Sequence, residues 1–223
     1  MQVKNISIIV PTYNEQGNII PLVHRIDQSL QANNIAYEII FVDDHSVDQT
    51  REVIVQMAKV FPITLLVKSG ERGKAQSIIE GTKQAQYDII CMIDGDLQYP
   101  PEAIPEMVSS VENTADIVVA NRAVSYTSAL RKIMSKSFFF FFGRLLHGLS
   151  VDVQSGLKVF RKSIMQEITI SPSAWTFDLE LLKKANDAGY VISSVPIIFA
   201  QRKYGETKVD IFKSSWEIGS HAV

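Results

Sequence analysis

The sequence predicts an α/β domain built on a mainly parallel sheet, and three observations indicate this class. Short apolar runs rich in β-branched residues alternate with longer amphipathic segments through the first half of the chain. The apolar runs are nearly continuous, which is typical of strands buried on both faces. A helical stretch separates each run from the next, as in a doubly wound sheet. We therefore expect a Rossmann-like sheet flanked by helices.

The elements follow in order along the chain. Strands are predicted at 6–10, 38–42, 63–67, 88–93 and 116–120. Helices are predicted between them near 17–33, 48–60, 73–86 and 101–113, the last beginning at a proline, which is favoured in a first helical turn. The second half is less regular and predicts a helix at about 127–149, a strand at 157–160, a helix at about 177–188 ending before Gly189, a strand near 191–199 and a short helix at 210–219. Because neither an internal repeat nor a linker interrupts the sequence, we expect one domain over 1–223.

The composition is that of an ordinary globular protein, with 46% hydrophobic and 21% charged residues among 223. These values exclude a disordered chain, a collagen and a disulfide scaffold. The single cysteine, Cys91, cannot form an internal disulfide, which suits a reducing compartment. We expect no signal peptide, because the chain leads straight into a strand-like run. No apolar stretch reaches the ~20 residues that a membrane-spanning helix needs.

The net charge of −2 hides an asymmetry between the two halves. Residues 1–121 carry 8 Lys and Arg against 16 Asp and Glu, whereas residues 122–223 carry 14 against 8. Such a split predicts halves that bind ligands of different charge. Solvated surfaces that differ by chance are the alternative.

The strongest single motif is Asp94-Gly95-Asp96-Leu97-Gln98, directly after the strand predicted at 88–93. Two carboxylates ~4 Å apart repel by on the order of 4 kcal/mol at an effective dielectric near 20, unless a cation neutralises them. Carboxylate and amide oxygens are suitable ligands for Mg²⁺ or Mn²⁺ that bridges to a diphosphate. A turn rich in Asp and Gly, common after strands, is the alternative.

Other polar segments end neighbouring predicted strands, where ligands of such sheets bind. The segment 11–15 brings an aromatic ring and a carboxylate to this edge. Carboxylates in 43–48 are suited to accept hydrogen bonds from a ribose or a nucleobase, although capping of the next helix is an equal reading. The segment 72–74 precedes a helix, where its cations and backbone N–H groups would meet an anion. The sequence contains no Walker loop, no G-x-G-x-x-G, no zinc motif and no G-x-S-x-G.

Five consecutive phenylalanines, 138–142, lie between the cations Arg131, Lys132, Lys136 and Arg144. Five adjacent side chains surround a helix, so some of them must face away from the core of the protein. Phenylalanines flanked by cations are typical of a helix that lies at a bilayer interface. A core helix is the alternative.

Taken in order, these segments resemble the family 2 glycosyltransferases of the GT-A fold. The first half carries the resemblance in 10–15, 42–46, 72–74 and 94–98. The second half is similar to the polyprenyl-phosphate glycosyltransferases, the group containing dolichol-phosphate mannose synthase, through Arg122, Arg131 with Ser135, 152–161, 177–180 and 202–208. The resemblance extends from about 6 to 213. Gln49 and Gln154 depart from the Gly and Thr that are usual in the family.

The resemblance implies inverting transfer of a sugar from a nucleoside-diphosphate sugar, of the GDP-mannose or UDP-glucose type, to a dolichyl or undecaprenyl phosphate. It implies Mg²⁺ or Mn²⁺ held by Asp94, Asp96 and Gln98. It implies a donor site of Pro11, Tyr13, Glu15, Asp43, Lys74, Asp94, Arg202 and Lys208. It implies an acceptor-phosphate site of Arg122, Arg131 and Ser135, and it makes Asp94, Asp96, Arg122 and Arg131 the catalytic group.

The resemblance also implies a division of labour and a location. Residues 1–121 would bind the nucleotide sugar and the metal, and 122–223 would bind the acceptor. The enzyme would act at the cytoplasmic face of a membrane, either as a peripheral protein or as part of a membrane-anchored one. We expect no nucleic-acid partner.

Three other functions stay open at this point. The acceptor could be a hydroxyl of a glycan, but this chemistry would need a carboxylate base, whereas a phosphate monoester is already largely anionic above its second pKa of ~6. The chain could bind nucleotide sugars or recruit partners to membranes without catalysis. A nucleotidyltransferase would also use metal-bound carboxylates on an α/β sheet.

Overall fold

The computed structural model describes residues 4–125, 150–170 and 177–202, with side chains of 123–125 excepted. Within these ranges seven strands form one sheet that is covered on both faces by helices. In chain order the elements are β1 (Lys4–Thr12), α1 (Gln16–Ala32), β2 (Ile35–Asp43), α2 (Thr50–Met57), β3 (Ile63–Val67), α3 (Lys74–Gln84), β4 (Ile89–Ile93), a 3₁₀ turn (Pro101–Ala103), α4 (Ile104–Asn113), β5 (Ile117–Ser125), β6 (Leu157–Arg161), α5 (Lys162–Glu167), α6 (Phe177–Asp187) and β7 (Ile192–Phe199).

The strand order across the sheet is β3-β2-β1-β4-β6-β5-β7. Strand β6 is antiparallel to both of its neighbours, and the other neighbouring pairs are parallel. The chain fills one side of β1 with β2 and β3 and then crosses to β4 on the other side. The order therefore reverses between β1 and β4, and ligands of open α/β sheets bind at such a reversal, beyond the carboxyl ends of the strands.

The inner strands β1, β2, β4 and β6 are buried on both faces, as their continuous apolar sequences predict, whereas the edge strands β3 and β7 are partly exposed. Successive residues of β1 enter opposite layers: Ile8 belongs to the core cluster that includes residues of α1, α2 and α4, whereas Ile9 belongs to the cluster that includes residues of α3 and α6. The same alternation holds for Ile39 and Ile40 of β2. Burying β-branched side chains on both faces is the dominant stabilising contribution to such a sheet.

Helix α3 approaches the sheet closely at Gly81. A Cβ atom at this position would lie 2.6 Å from Cγ2 of Ile9 and 3.1 Å from Cγ2 of Val42. Only a glycine allows this approach without moving the buried side chains. The close contact fixes α3 over β1 and β2, and so fixes the position of Lys74, the first residue of α3.

Most predicted elements are confirmed, with shifted boundaries. The strand at 63–67 is reproduced to the residue, and β1, β2 and β5 are longer than predicted. The helix predicted at 48–60 is shorter, and the one at 101–113 begins as a 3₁₀ turn. Gly189 follows α6 with a φ of 86°, as expected of a helix-ending glycine. The six residues of α5 were not predicted, because one and a half turns give too short a periodicity to detect.

The helices predicted at 127–149 and 210–219 lie outside the described residues. Within the ranges that the structure describes, no helix is both long enough and apolar enough to cross a membrane.

Candidate active site

Three loops meet at the reversal of strand order, following β1, β2 and β4. Each contains a non-glycine residue in the left-handed region: Asn14 (φ 53°), His45 (φ 67°) and Leu97 (φ 62°). Within the described ranges only Asn34 shares this conformation among non-glycine residues. Such backbone conformations cost free energy and persist where surrounding contacts hold them, commonly at functional sites.

Reciprocal hydrogen bonds hold the first two loops together. The backbone N–H of Asn14 donates to Oγ of Ser46 at 2.9 Å, and the N–H of Val47 donates to Oδ1 of Asn14 at 2.8 Å. The N–H of Glu15 donates to Oγ1 of Thr50 at 2.8 Å. The loop after β1 is thereby fixed against the loop after β2, and the side chains that both loops carry are held in place.

Asp94 follows β4 directly and is held by two elements. Its carboxylate lies 2.6 Å from Nζ of Lys74 on α3, and its backbone N–H donates to the carbonyl of Gly156 at 3.2 Å. A Cβ atom on Gly156 would lie 1.9 Å from Oδ2 of Asp94. Since β6 runs antiparallel to β4, the turn that begins β6 lies at the end of β4, and a glycine there leaves room for the carboxylate.

Asp96 is mostly buried and is surrounded by charges of both signs. Its Oδ1 accepts a hydrogen bond from the N–H of Gln98 at 3.1 Å, and its Oδ2 lies 3.3 Å from Nη2 of Arg202. Burial, together with the nearby charge of Asp94, raises the pKa of Asp96 from 3.8 to about 6. In the ion pairs of the site, three carboxylates, Glu15, Asp94 and Asp96, meet two cations, Lys74 and Arg202.

Arg202 joins the loop after β1 to the loop after β4. Its Nη2 lies 3.0 Å from Oε1 of Glu15 as well as near Asp96, and Oε2 of Glu15 accepts a 2.5 Å hydrogen bond from the amide of Asn18. Arg202 reaches the site because the segment after β7 is hydrogen-bonded to Gln98 through Ala200. The N–H of Ala200 donates to the backbone carbonyl of Gln98 at 2.9 Å, and the Gln98 side-chain amide donates to the Ala200 carbonyl at 3.1 Å.

Asp43 and Asp44 have different environments, which the sequence did not distinguish. Asp43 is fully buried, and its Oδ2 accepts from Nε of Arg51 at 2.6 Å and from the N–H of Ser46 at 3.1 Å. Its Oδ1 is buried and has no hydrogen-bond partner among the described residues. Buried polar atoms are nearly always paired, so this oxygen is a candidate acceptor for a ligand N–H or O–H.

Asp44, by contrast, has a structural role. It accepts hydrogen bonds from Nζ of Lys68 and from the N–H of Gly73, both at 2.9 Å. Burial alone would raise the pKa of Asp44, but the hydrogen bonds from Lys68 and Gly73 hold it below its usual range. Asp44 thus anchors the loop before α3. On that loop the guanidinium carbon of Arg72 lies 5.2 Å from the centroid of the Tyr13 ring, which is a cation–π distance.

Arg122, at the start of the second half, is held by two hydrogen bonds to Asp152. The Nη2–Oδ1 distance is 2.9 Å, and Nε donates to the other oxygen. The guanidinium carbon also lies 5.3 Å from the centroid of the Phe199 ring. Burial alone would lower the pKa of Arg122, but Asp152 raises it above its usual range, so the group is a fixed cation.

The structure brings together most of the side chains implied by the resemblance. Lys74 pairs with Asp94, and Arg202 pairs with both Glu15 and Asp96. The two groups adjoin, because Asp94 and Asp96 lie within electrostatic range of each other. Pro11 lies on β1 beside Val42, and Gln98 lies on the loop with Asp96. Three residues that the resemblance implies, Arg131, Ser135 and Lys208, lie outside the described residues.

Several buried contributors have no predicted role. Asn18 and Lys68 lie outside the segments that carry the resemblance, and Gly156 and Lys158 lie within 152–161. Lys158 is fully buried within β6, where it donates to Oδ1 of Asp178 at 2.6 Å and to the carbonyl of Ser155. Burial lowers the pKa of Lys158, although Asp178 opposes this change. The available signal was a lysine inside an otherwise apolar strand sequence.

The donor atoms suit a cation that binds together with a phosphate group. Among the described residues no group of three or more His, Cys, Asp and Glu is arranged to hold a metal ion. Asp94 and Asp96 supply two carboxylates, and Mg²⁺ usually binds through one or two carboxylates together with phosphates. Burial and, after it, the nearby charge of Asp94 raise the pKa of Asp96, and a bound cation would oppose this change. The carboxylate pair fits such an ion better than a closed metal cage.

The fold and the carboxylate cluster together define an α/β protein with a polar site at its switch point. The chain belongs to glycosyl transferase family 2, whose model matches residues 7–169. It is 33% identical over 212 residues to a dolichol-phosphate mannosyltransferase of Pyrococcus furiosus, covering 92% of this chain and 59% of the relative. It is 29% identical over 205 residues to an undecaprenyl-phosphate 4-deoxy-4-formamido-L-arabinose transferase of Pseudomonas fluorescens, covering 91% of this chain. The chain spans 59% of the length of both relatives.

Solved structures agree on the fold. The glucosyl-3-phosphoglycerate synthase of Mycobacterium tuberculosis, in complex with Mn²⁺, uridine diphosphate and phosphoglyceric acid, superposes with a TM-score of 0.72 at 15% identity. The match covers 98% of this chain and 75% of the synthase. The mainly parallel α/β sheet and the GT-A fold that the sequence predicts are confirmed.

The substitution Gly156→Ala tests the packing of the turn against Asp94. The new Cβ atom collides with the carboxylate, so either the turn or Asp94 must move, and we expect a loss of about 1–3 kcal/mol in the free energy of unfolding. Urea denaturation measures this loss. Gly70→Ala is the matched control, because no atom lies within 4 Å of the added methyl group. An equally small effect of both substitutions would contradict the described contact.

The charge on Asp96 predicts a pH-dependent stability. Because folding raises its pKa to about 6, its contribution is intact below pH 3.8 and is lost as the pH rises through 6. Asp96→Asn removes the ionisable carboxyl group, so the variant does not lose this stability as the pH rises. In the presence of a chelator the variant should therefore gain stability over the wild type between pH 4 and pH 7, by on the order of 3 kcal/mol. Thermal or urea unfolding across this range measures the difference, and a difference that does not grow with pH would contradict the assignment.

Proposed function

We propose that the chain transfers a sugar, with inversion, from a nucleoside-diphosphate sugar to a polyprenyl phosphate. The observation that carries the proposal is the pair Asp94 and Asp96 at the switch point of a family 2 glycosyltransferase, flanked by the cations Lys74 and Arg202. The names of the relatives support both the type of reaction and a lipid-phosphate acceptor.

The nucleoside would bind at the loops after β1 and β2. The free Oδ1 of Asp43 is suited to accept a hydrogen bond from a base or a ribose. The Tyr13 ring offers an apolar face, and Pro11 and Glu15 border the same edge. Because Arg51 and Ser46 already occupy Oδ2 of Asp43, its free oxygen is held in one orientation.

The diphosphate would lie over the carboxylates. Lys74 and Arg202 each contact a site carboxylate in this structure and would face the phosphates of a bound donor, together with Lys208. Asp94, Asp96 and Gln98 would hold a Mg²⁺ or Mn²⁺ ion, with phosphate oxygens completing its coordination. When bound, the ion supplies positive charge that stabilises the departing diphosphate.

The acceptor phosphate would bind to Arg122 from the described part of the chain, and to Arg131 and Ser135. Two hydrogen bonds to Asp152 fix the guanidinium of Arg122, so little side-chain freedom is lost when an anion binds. A phosphate acceptor is largely deprotonated at neutral pH, so the reaction needs no strong general base. These cations serve instead to align the acceptor oxygen with the anomeric carbon.

A lipid acceptor places the enzyme at a membrane surface. The phenylalanines 138–142 and the flanking cations Arg131, Lys132, Lys136 and Arg144 have the composition of an interfacial helix. We propose that 1–121 binds the donor and 122–223 binds the acceptor, and that the site faces the cytoplasmic leaflet.

A transfer assay with an Asp96→Asn variant tests this function. We expect wild-type protein, given GDP-mannose or UDP-glucose with Mg²⁺ or Mn²⁺, to form a lipid-linked sugar from a short polyprenyl phosphate. Asp96→Asn should reduce turnover by 100-fold or more, since one deleted electrostatic contact in a transition state costs about 10²–10³. Chromatography of labelled product measures the rate.

The matched control for this assay is Asp187→Asn, at an exposed position of α6 that pairs with Lys183. It makes the same chemical change away from the site and should retain full turnover. Transfer to a soluble glycan but not to the lipid phosphate would instead identify the hydroxyl-acceptor reaction. Release of pyrophosphate from a nucleoside triphosphate would identify a nucleotidyltransferase, and unchanged turnover of Asp96→Asn would contradict the role of the carboxylate.

A further inference from the structure

A buried ion pair lies directly behind the proposed donor site. Lys158, fully buried in β6, donates to Oδ1 of Asp178 at 2.6 Å. It also donates to the carbonyl of Ser155, the residue before the glycine that makes room for Asp94. Asp178 is the second residue of α6 and is about one-fifth exposed. A charged amine without access to water persists only where partners compensate it.

The Lys158–Asp178 pair lies close enough to the Lys74–Asp94 pair of the site for Asp178 to compete with Asp94 for Lys74. Lys74 contacts Asp94 at 2.6 Å, but Asp178 also lies within electrostatic range of the Lys74 ammonium. Lys158 and Lys74 are in turn within range of each other. Lys74 is therefore within electrostatic range of two carboxylates, Asp94 and Asp178, whereas Lys158 is paired with Asp178.

We propose that Lys158 is a positioning residue that neutralises Asp178 and so leaves Lys74 to pair with Asp94. Without the charge on Lys158, Asp178 becomes an uncompensated carboxylate next to Lys74, and it draws this ammonium away from Asp94. Asp94 then loses the partner that orients it, and Lys74 leaves the place where the donor diphosphate would meet it. The inference rests on the proposed donor and metal role of Asp94 and Lys74.

This mechanism predicts that substitutions of Lys158 and of Asp178 have different effects on ligand affinity. Lys158→Met leaves Asp178 free to compete for Lys74, so ligand affinity should fall. Asp178→Asn removes the competitor, so Lys74 stays with Asp94 although the buried lysine has lost its partner. A pair with only a structural role would give the same loss of affinity from either substitution, in proportion to the loss of stability.

The test is a set of dissociation constants for Mn²⁺ together with UDP, and for Mn²⁺ together with GDP, measured by calorimetry. We expect Lys158→Met to weaken binding of the nucleotide that the wild type prefers by about 10-fold or more, as is usual when a residue supporting a metal ligand is lost. Asp178→Asn and the double variant Lys158→Met with Asp178→Asn should stay within about 3-fold of the wild type. Lys158→Arg keeps the charge and should behave like the wild type.

The matched control for buried polar contacts is Glu38→Gln. Glu38 is buried within β2, where it accepts hydrogen bonds from Ser7 at 2.6 Å and from the N–H of Gln86 at 2.7 Å. This variant should lose stability without losing affinity. If Lys158→Met does not fold, Lys158→Gln carries the same expectation, because it removes the charge and keeps a hydrogen-bond donor.

Each outcome decides the matter. Loss of affinity in Lys158→Met with recovery in the double variant supports the proposal. Unchanged affinity in Lys158→Met, or a double variant as weak as Lys158→Met, overturns it while the donor site stands. Failure of the wild type to bind either nucleotide with Mn²⁺ overturns the donor site first and this inference with it.

Discussion

The arrangement of the site depends on the need to compensate the negative charge of two carboxylates at the end of β4. Only Gly95 separates Asp94 from Asp96 in the sequence. Arg202 contacts both Asp96 and Glu15, and so holds a third carboxylate near this pair. Removing carboxylates from water is costly unless cations and hydrogen bonds compensate. Lys74 and Arg202 provide part of that compensation, and burial together with the nearby charge of Asp94 still raises the pKa of Asp96. In the proposed function, a divalent cation and a phosphorylated donor supply the rest.

The residues that surround these carboxylates come from elements that are far apart in the sequence. Close packing at Gly81 places α3, and with it Lys74, above the end of β4. Backbone pairing between Ala200 and Gln98 brings Arg202 to the same place from the segment after β7. The antiparallel strand β6 adds the glycine turn behind Asp94. One sheet therefore joins the acidic first half of the chain to cations of the more basic second half.

Local patterns made the strands, most helices and the carboxylate motif predictable from sequence. Continuous apolar runs identified the strands, the one at 63–67 to the residue, and the Asp94–Gln98 motif indicated the carboxylates that lie at the switch point. Contacts between distant residues were not predictable. The sequence did not indicate that Asp44 would bind Lys68 while Asp43 kept a free oxygen, because strand register and the loop before α3 decide this. The roles of Gly156 and Lys158 depend on the antiparallel direction of β6. The sequence predicts this strand, but its periodicity does not indicate its direction.

The central claim, that the carboxylates at the end of β4 bind a divalent cation together with a nucleoside diphosphate, is tested most directly by thermal shift. Purified protein would be heated with UDP, GDP and their sugar derivatives, each with and without Mn²⁺. A ligand at about 100 times its Kd adds about 2.7 kcal/mol, which is several degrees in Tm for a chain of this size. The account predicts a shift with one nucleotide that requires the metal. A shift that is equal without metal, or no shift with any nucleotide, would contradict it.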